Sequence, residues 1–280
     1  MKRIATIQDI SCIGKCSLTV ALPVLSAMGV ETAIIPTAVL SAHTAFKQFT
    51  FFDLTDEIQK ISDHWKKEDI TLDAIYTGYL GSFRQIALMK HLFSEYPKAL
   101  VFVDPAMGDN GKLYTGFDRA FAHEMASLCA MADVITPNLT EAAFMLDRPY
   151  YESGYSQAYI QKLLEDLCRL GAKQAIITGL SFEKGKIGIM AMEASSGKFY
   201  SYFQDKCEAM YHGTGDIFAS TVLGAVMNGK SLSEAAAIAV DFVGESIRLT
   251  IEDKNGRWYG VNFEEAIPFL LARMGKVSLL

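Results

Sequence analysis

The chain has 280 residues, of which 50% are hydrophobic and 21% are charged, a balance that excludes a disordered protein. Its formal net charge of −6 argues against a general nucleic-acid binder, so no nucleic-acid partner is expected. No apolar run reaches the ~18 residues of a membrane span, and the stretch after Met1 ends at Gln8, too soon for a signal peptide, so we expect a cytoplasmic protein with no membrane partner.

Short apolar runs rich in β-branched residues alternate with longer helix-like segments along the chain. The predicted strands are 4–8, 32–36, 74–79, 99–104, 133–137 and 174–179. The predicted helices are 16–28, 54–68, 82–95, 118–131, 139–146, 156–170, 214–228, 232–250 and 262–273. Two further runs, 186–193 and 198–203, predict a β-hairpin. This order predicts an α/β fold, a three-layer α/β/α sandwich with a mostly parallel central sheet, in a single domain over 1–280.

The five cysteines do not form a recognisable disulfide framework. Their number is odd and their spacing is irregular, and no histidine lies near the closest pair, as a zinc site would require. We therefore expect five reduced thiols, at Cys12, Cys16, Cys129, Cys168 and Cys207.

The stretch from His212 to Asp216, HGTGD, opens a strongly apolar helical run. Its two glycines let the backbone pack tightly, and the N–H groups at a helix N-terminus carry a partial positive charge. These features predict a site for an anion, most naturally a phosphate. An aspartate beside such a site is the residue type that accepts the proton of an attacking hydroxyl in phosphoryl transfer, which makes Asp216 a candidate base.

Five other polar segments come at the ends of predicted strands or in the loops that follow them. Ligands of parallel α/β sheets bind at the C-terminal ends of the strands, so each of these segments is a candidate part of a ligand site. The segments are 8–17, 41–44, 77–82, 103–109 and 136–141.

Three of these segments could line a small-ligand pocket. The 8–17 segment has neither the Walker A spacing nor G-x-G-x-x-G, so an ordinary turn followed by a helix N-cap fits it equally well. His43 is either a structural residue or a site residue, and its neighbour Thr44 offers a hydroxyl to a heteroaromatic nitrogen. Tyr79 either forms an aromatic wall or lies half buried at the start of a helix.

The other two segments carry carboxylates. Asp104 and Asp109 follow a strand, where paired acids suit magnesium or a monovalent cation, although an aspartate there also caps turns. Asn138 and Glu141 are three residues apart and share a helix face, so they could hold a magnesium-bound water and a phosphate oxygen. The same spacing also fits a helix N-cap with its capping-box partner.

Together these motifs resemble the ribokinase superfamily and, within it, the pyridoxal/pyridoxine/pyridoxamine kinases. HGTGD (212–216) before an apolar helix resembles the superfamily's C-terminal signature, and TPNLTEA (136–142) resembles its N-x-x-E magnesium motif. SAHT (41–44), TGYLGS (77–82) and VDPAMGD (103–109) are similar to segments of the vitamin B6 branch. The motifs follow in family order over most of the chain, so the resemblance implies a ribokinase-like fold.

The resemblance implies ATP-dependent phosphorylation of the 5′-hydroxymethyl group of a vitamin B6 vitamer, in the salvage of pyridoxal 5′-phosphate. Asp216 would accept the hydroxyl proton. The N–H groups of Gly213, Thr214 and Gly215 would form an anion hole for the transferred phosphoryl group. A homodimer is also implied, with ATP and Mg²⁺ as cofactors and K⁺ as one option for a monovalent cation.

The same resemblance implies roles for the remaining site residues. The ATP-binding residues would be Asp104, Thr136, Asn138, Glu141 and Thr178, of which Asp104 and Glu141 would also hold Mg²⁺. The ring-binding residues would be Asp9, His43, Thr44 and Tyr79. The stretch 203–211 resembles the loop that closes over ATP, and such closure excludes water from the reaction.

Asp9 departs from the pattern, since many pyridoxal kinases carry a serine there, and DISCIG resembles the D-x-S-x-x-G style of the hydroxymethylpyrimidine kinases. The alternative is therefore a hydroxymethylpyrimidine kinase of thiamine biosynthesis, and the preferred vitamer stays open. TGYLGS and Asp216 argue against that alternative, because pyrimidine kinases more often have a methionine-containing turn and a cysteine at these two places. An alternative from another class, a non-catalytic B6-binding protein, is disfavoured by the intact Asp216 and Glu141.

Overall fold

The computed structural model describes residues 1–207 and 211–277. Within these ranges nine strands form a mostly parallel sheet, and helices alternate with the strands along the chain. This confirms the predicted α/β class with a mostly parallel central sheet. The chain divides into two compact units, which we call the terminal unit (Met1–Leu54 and Gln204–Leu280) and the middle unit (Thr55–Phe203). The single domain over 1–280 stays a prediction.

Strands and helices follow one another along the described residues in a fixed order. They are β1 (Arg3–Ser11), α1 (Leu18–Ala27), β2 (Glu31–Leu40), β3 (Phe51–Asp53), α2 (Thr55–Lys67), β4 (Ala74–Thr77), α3 (Phe83–Glu95), β5 (Leu100–Val103), β6 (Gly108–Asp109), β7 (Lys112–Leu113), α4 (Arg119–Cys129), β8 (Val134–Ile135), α5 (Leu139–Met145), α6 (Gln157–Leu170), β9 (Gln174–Leu180), β10 (Lys186–Glu193), β11 (Lys198–Asp205), α7 (Thr214–Met227), α8 (Leu232–Glu252) and α9 (Phe263–Arg273).

In the terminal unit β1 pairs in parallel with β2, and the short strand β3 runs antiparallel to β2. The register of β1 and β2 shifts between Gln8 and Ile10, so Asp9 lies at an irregularity of the ladder. The strand β3 is a correction, because the exposed residues 51–53 have no alternating apolar pattern that predicts a strand.

The strand β1 is longer than the predicted 4–8, which corrects the position of Asp9. Pairing with β2 continues to Ser11, opposite Leu40, so Asp9 and Ser11 lie within the strand and not in the loop after it. Their polarity indicates a loop when the sequence is read alone. Buried polar side chains are tolerated in a strand when they bond to one another, as these two do.

In the middle unit β4, β5, β8 and β9 are parallel neighbours in that order, and β10 is antiparallel to β9. The neighbours β10 and β11 are joined across residues 194–197, which confirms the predicted hairpin. The two-residue strands β6 and β7 form a small separate hairpin that the sequence does not predict. It follows directly on the 103–107 segment and so shapes the chain next to Asp104.

Two further expectations concern the cysteines and the membrane. All five cysteines are free thiols, which confirms the prediction. Across 1–207 and 211–277 no helix is both long and apolar enough to cross a membrane.

Candidate active site

Asp216 lies in the first turn of α7, and the apolar residues after it anchor that helix in the terminal unit. Every residue from Ile217 to Ala225 is buried. The N–H of Ile217 donates to the Gly213 carbonyl at 3.1 Å, at the start of the helical ladder. The N–H groups that precede Ile217 in the first turn have no acceptor within the helix, so they can donate to an anion.

Gly213 packs against the loop before α1. It has a φ of 81°, in the left-handed region that favours glycine, and a Cβ there would lie 1.8 Å from the carbonyl oxygen of Lys15. The loop before α1 therefore packs directly against the start of α7. The predicted segments 8–17 and 212–216 are in contact, although they are far apart in sequence.

Asp9 accepts a hydrogen bond on each of its carboxylate oxygens. Ser17 Oγ donates to Oδ1 at 2.6 Å, and Ser11 Oγ donates to Oδ2 at 3.0 Å. Asp9 is 5% exposed. Burial raises the pKa of its carboxyl, and the two serine hydroxyls act in the opposite direction. Its role in holding a substrate ring stays a prediction.

Ser11 and Ser17 are functional candidates that sequence reasoning missed. Ser11 had a usable signal, since D-x-S places its side chain on the same strand face as Asp9. Ser17 had none, because a serine directly before a helix reads as its N-cap. In the structure Ser17 makes no side-chain cap bond to α1 and donates its hydroxyl to Asp9.

The carboxyl of Asp216 has an unusual proton affinity. Desolvation by the surrounding protein raises its pKa from 3.8 to about 7, and the negative charge of Asp9 contributes in the same direction. The backbone N–H of Ser17 acts as a hydrogen-bond donor to this carboxyl and opposes the shift. A carboxyl with a pKa near 7 is matched to proton abstraction at neutral pH.

His43 is half buried and lies beside the 212–216 segment. The rings of His43 and His212 have centroids 4.9 Å apart, and the His43 N–H bonds to the Ile13 carbonyl at 2.7 Å. Burial lowers the pKa of His43, and His212 lowers it further. Thr44 is exposed. Of the predicted ring-binding residues, the terminal unit thus brings Asp9 and His43 near the start of α7.

In the middle unit the predicted acid pair is buried. Asp104 follows β5 and is 7% exposed, and Glu141, in the first turn of α5, is 3% exposed. Burial raises the pKa of Glu141 well above its usual range, and the charge of Asp104 raises it further. Asp109 is not part of the pair, because it is exposed and bonds to Asn110.

Asn138, Thr136 and Thr178 lie around this pair. Asn138 and Glu141 form a capping box, with Asn138 Oδ1 accepting from the Glu141 N–H at 2.9 Å and Glu141 Oε2 accepting from the Asn138 N–H at 2.8 Å. Thr136 Oγ1 donates to Asp104 Oδ1 at 3.4 Å. Thr178 forms a parallel β-bridge with Asn138. The N-x-x-E motif therefore forms the helix N-cap and capping box that the sequence also allows. In this arrangement the carboxylates of Asp104 and Glu141 remain neighbours.

The acid pair fits a hard divalent cation. Among the described residues no lysine, arginine or histidine forms an ion pair with Glu141, whose carboxylate accepts only backbone N–H groups, such as that of Met107 at 3.1 Å. Two neighbouring buried carboxyls repel each other, and a cation with oxygen ligands would relieve that repulsion. The described part of the chain has no group of three or more His, Cys, Asp or Glu side chains placed to hold a metal ion, so water and phosphate oxygens would supply the other ligands.

Tyr79 follows β4 in the middle unit and is half buried. Its ring centroid lies 5.7 Å from that of Phe117, and Phe117 stacks on Phe121 at 3.9 Å. Ser82, three residues on, caps α3 by accepting from the Gln85 N–H. These contacts fit the alternative of an aromatic residue at a helix start, and contact with a substrate ring stays a prediction.

The stretch 203–211 is only partly described. Residues 208–210 lie outside the described residues, and the predicted closure of this stretch over ATP stays a prediction. Its first part, up to Asp205, belongs to β11.

Comparison with known proteins gives consistent matches over most of the chain. A family model described as phosphomethylpyrimidine kinase matches residues 20–260. A candidate phosphomethylpyrimidine kinase from Bacteroides thetaiotaomicron, crystallised with pyridoxal, is 40% identical, with a TM-score of 0.91 over 96% of this chain and 95% of its own.

Two further relatives carry the name pyridoxal kinase. The crystal structure from Lactobacillus plantarum is 29% identical, with a TM-score of 0.89 over 97% of each chain. The protein from Dictyostelium discoideum is 27% identical over 240 residues, which are 79% of this chain and 77% of its own. These matches confirm the predicted ribokinase-like fold, the resemblance to the vitamin B6 kinases and the prediction of a kinase.

Proposed function

The chain belongs to the phosphomethylpyrimidine kinase family, and from that premise we propose that it transfers a phosphoryl group from ATP to the 5′-hydroxymethyl group of pyridoxal, pyridoxine or pyridoxamine. The observation that carries the proposal is Asp216, a carboxyl with a pKa of about 7 in the first turn of α7, beside N–H groups that can donate to an anion. The relative crystallised with pyridoxal supports the substrate class.

Asp216 is the base of the proposed reaction. Above pH 7 its carboxylate accepts the proton as the substrate hydroxyl oxygen forms a bond to the terminal phosphorus of ATP. The bond from that phosphorus to the bridging oxygen breaks at the same time, and ADP leaves with the electron pair. The N–H groups of Gly213, the N-cap of α7, and of Thr214 and Gly215 in its first turn donate to the oxygens of the transferred group, whose charge they stabilise. These groups belong to the terminal unit, where Gly213 fixes the start of α7 against Lys15.

The middle unit supplies the groups for the nucleotide. Asp104 and Glu141 would hold a magnesium ion, which when bound neutralises part of the charge of the phosphates. Asn138, Thr136 and Thr178 lie beside this pair and would bind phosphate oxygens through their polar groups. K⁺ as an added monovalent cation remains an option within the proposal.

The substrate ring is assigned to Asp9, His43, Thr44 and Tyr79. A buried carboxylate such as that of Asp9 favours a ring with a protonated nitrogen or an amine. His43 lies close to the base through its contact with His212. We extend the proposal to a cytoplasmic location, in keeping with a salvage enzyme for a small vitamin.

A hydroxymethylpyrimidine kinase is the second candidate. The description of the matching family and the Asp9-x-Ser11 pattern, with its hydrogen bond, favour it. The relatives named pyridoxal kinase favour the first candidate.

The test of the proposed function is turnover with each vitamer. Purified protein with Mg-ATP and pyridoxal, pyridoxine or pyridoxamine is followed by ³¹P NMR for a new phosphate ester. The proposal expects an ester with at least one vitamer, at a rate that depends on protein concentration. Absence of an ester with all three would overturn it.

Glu141→Gln is expected to lower kcat by roughly a hundredfold, the scale of a lost electrostatic contact to the transferring group. Gln has one accepting oxygen where the Glu141 carboxylate has two. It can keep the bond to the Asn138 N–H but leaves the Met107 N–H without its acceptor, so the free energy of unfolding should fall by about 1–3 kcal/mol. The magnesium concentration that gives half-maximal activity should rise. The matched control is Glu234→Gln, at the capping box of α8, which should leave kcat unchanged. A Glu141→Gln enzyme with wild-type magnesium dependence would contradict the assignment.

The proposed assembly is a homodimer. Phe51 and Phe52 of β3, the strand at one end of the sheet, are 53% and 67% exposed. Adjacent exposed aromatic residues on an edge strand favour coverage by a second copy. Light scattering should give twice the chain mass for the wild type and a lower mass for Phe52→Asp. The control is Tyr151→Asp, which changes an exposed aromatic residue outside β3 and should keep the mass of the wild type. A monomeric wild type would count against the dimer.

A further inference from the structure

Ser17 has a backbone conformation that its residue type rarely adopts. Its φ is 50° and its ψ is −134°, in a region populated mainly by glycine. Non-glycine residues in such conformations persist only where the surrounding structure holds them, and they cluster at functional sites. The strain at Ser17 therefore calls for a compensating contact.

Ser17 also lacks the side-chain capping bond that is usual for a serine at a helix N-cap. It precedes α1, where a serine side chain usually accepts a bond from the first helical turn, and no such bond is present. The Ser17 carbonyl still accepts from the N–H groups of Val20 and Ala21 at 3.0 and 2.9 Å, so the helix starts normally. The hydroxyl is turned to another partner.

The partners of Ser17 are the two carboxyls of the terminal unit's site. Its hydroxyl donates to Asp9 Oδ1 at 2.6 Å, and its backbone N–H acts on the Asp216 carboxyl, whose pKa it lowers. The packing of Gly213 against Lys15 and Cys16, with a Cβ position 1.8 Å from the Lys15 oxygen, holds the loop against the start of α7. One residue thus connects both acids.

Resting on the proposed kinase function, we infer that Ser17 is a positioning residue, which holds Asp216 through its backbone N–H and Asp9 through its hydroxyl, so that the two carboxyls act as one assembly. The strained backbone places the N–H and the hydroxyl for both contacts at once. Asp216 remains the residue that meets the substrate hydroxyl, and Ser17 acts through it.

Electrostatics couple the two carboxyls of the assembly. The charge of Asp9 raises the pKa of Asp216. Loss of the Ser17 hydroxyl would remove a hydrogen bond that lowers the pKa of Asp9. The pKa of Asp9 would rise, so its negative charge would act less strongly on Asp216 and the pKa of Asp216 would fall.

Other titratable groups of the terminal unit do not replace this coupling. Burial raises the pKa of the Cys16 thiol, and the charges of Asp216 and Asp9 raise it further, so this thiol stays neutral. Among the described residues of these segments, His43 and His212 face each other, and Lys15 is paired with Glu264.

The test compares Ser17→Ala with Ser17→Gly. Both remove the hydroxyl and keep the N–H, but only glycine adopts the Ser17 conformation without strain. In both variants the acidic limb of the kcat profile should move to lower pH, by about half a unit. At the plateau, kcat should fall about tenfold in Ser17→Ala and less in Ser17→Gly, because alanine shifts the N–H that holds Asp216.

The control is Ser62→Ala, which removes a buried serine that donates to Glu95 at 2.8 Å in the middle unit. It should lower the melting temperature and leave the pH profile in place. A direct ¹³C NMR titration of the Asp216 carboxyl, assigned with Asp216→Asn, gives the same pKa shift without turnover, so failure of the kinase proposal leaves this test intact. The inference would be overturned if neither the acidic limb of the kcat profile nor the pKa of Asp216 measured by NMR changed in the variants. Equal plateau kcat values in Ser17→Ala and Ser17→Gly would also overturn it.

Discussion

Replacing Asp216 with asparagine is expected to lower kcat by roughly a thousandfold, with KM for ATP close to the wild-type value. The amide keeps the size of the side chain and can still accept the Ser17 N–H, but it cannot take a proton from the substrate. Steady-state kinetics with Mg-ATP and a vitamer measure the change. The matched control is Asp63→Asn, an exposed aspartate on α2, which should leave kcat unchanged.

The same substitution has an expected effect on stability with a definite sign. The pKa of Asp216 is raised from 3.8 to about 7, so the folded state binds its proton more tightly than the unfolded state. This carboxyl therefore lowers stability as pH rises from about 4 to 7, and the loss is complete above 7. Asp216→Asn should resist urea better than the wild type at pH 8 and lose that advantage near pH 4. Near-wild-type kcat, or lower stability at pH 8, would contradict the role and the burial of Asp216.

Gly213→Ala is expected to lower the free energy of unfolding by about 3 kcal/mol or more. Its new Cβ would lie 1.8 Å from the Lys15 carbonyl oxygen, and its φ of 81° is strained for alanine. The start of α7 must then move away from the loop before α1, so activity should also fall. Urea unfolding and turnover measure the two effects.

Gly215→Ala is the matched control for this change. A Cβ at Gly215 meets no atom within 4 Å, and its φ is not in the left-handed region. Its stability should be unchanged or higher by up to about 1 kcal/mol, because alanine favours the helix. Equal losses at both glycines would show that the close packing against Lys15 does not stabilise the fold.

Much of the fold follows from local sequence patterns. The helices α7 and α8 and the strand β10 carry long apolar or alternating runs, and their predicted bounds agree with the structure to within two residues. The strand β3 and the hairpin of β6 and β7 were not predicted, because their three and two residues are too short to carry a period. Neighbouring structure defines them.

The candidate site shows the same division. The pairing of Asn138 with Glu141 follows from a spacing of three, and the structure has that capping box. The assembly of Asp9, Ser17 and Asp216 could not be predicted, since Ser17 and Asp216 meet only after α7 packs against the loop before α1. A serine that leaves its helix uncapped has no signature in the sequence.

The central claim is that the substrate is a vitamin B6 ring, and the ratio of two kcat/KM values tests it most directly. Pyridoxal and the hydroxymethylpyrimidine of thiamine biosynthesis are assayed with the same Mg-ATP and the same enzyme preparation. A vitamin B6 kinase is expected to have a kcat/KM for pyridoxal at least about tenfold above that for the pyrimidine. A higher value for the pyrimidine would contradict it and assign the site to the second candidate.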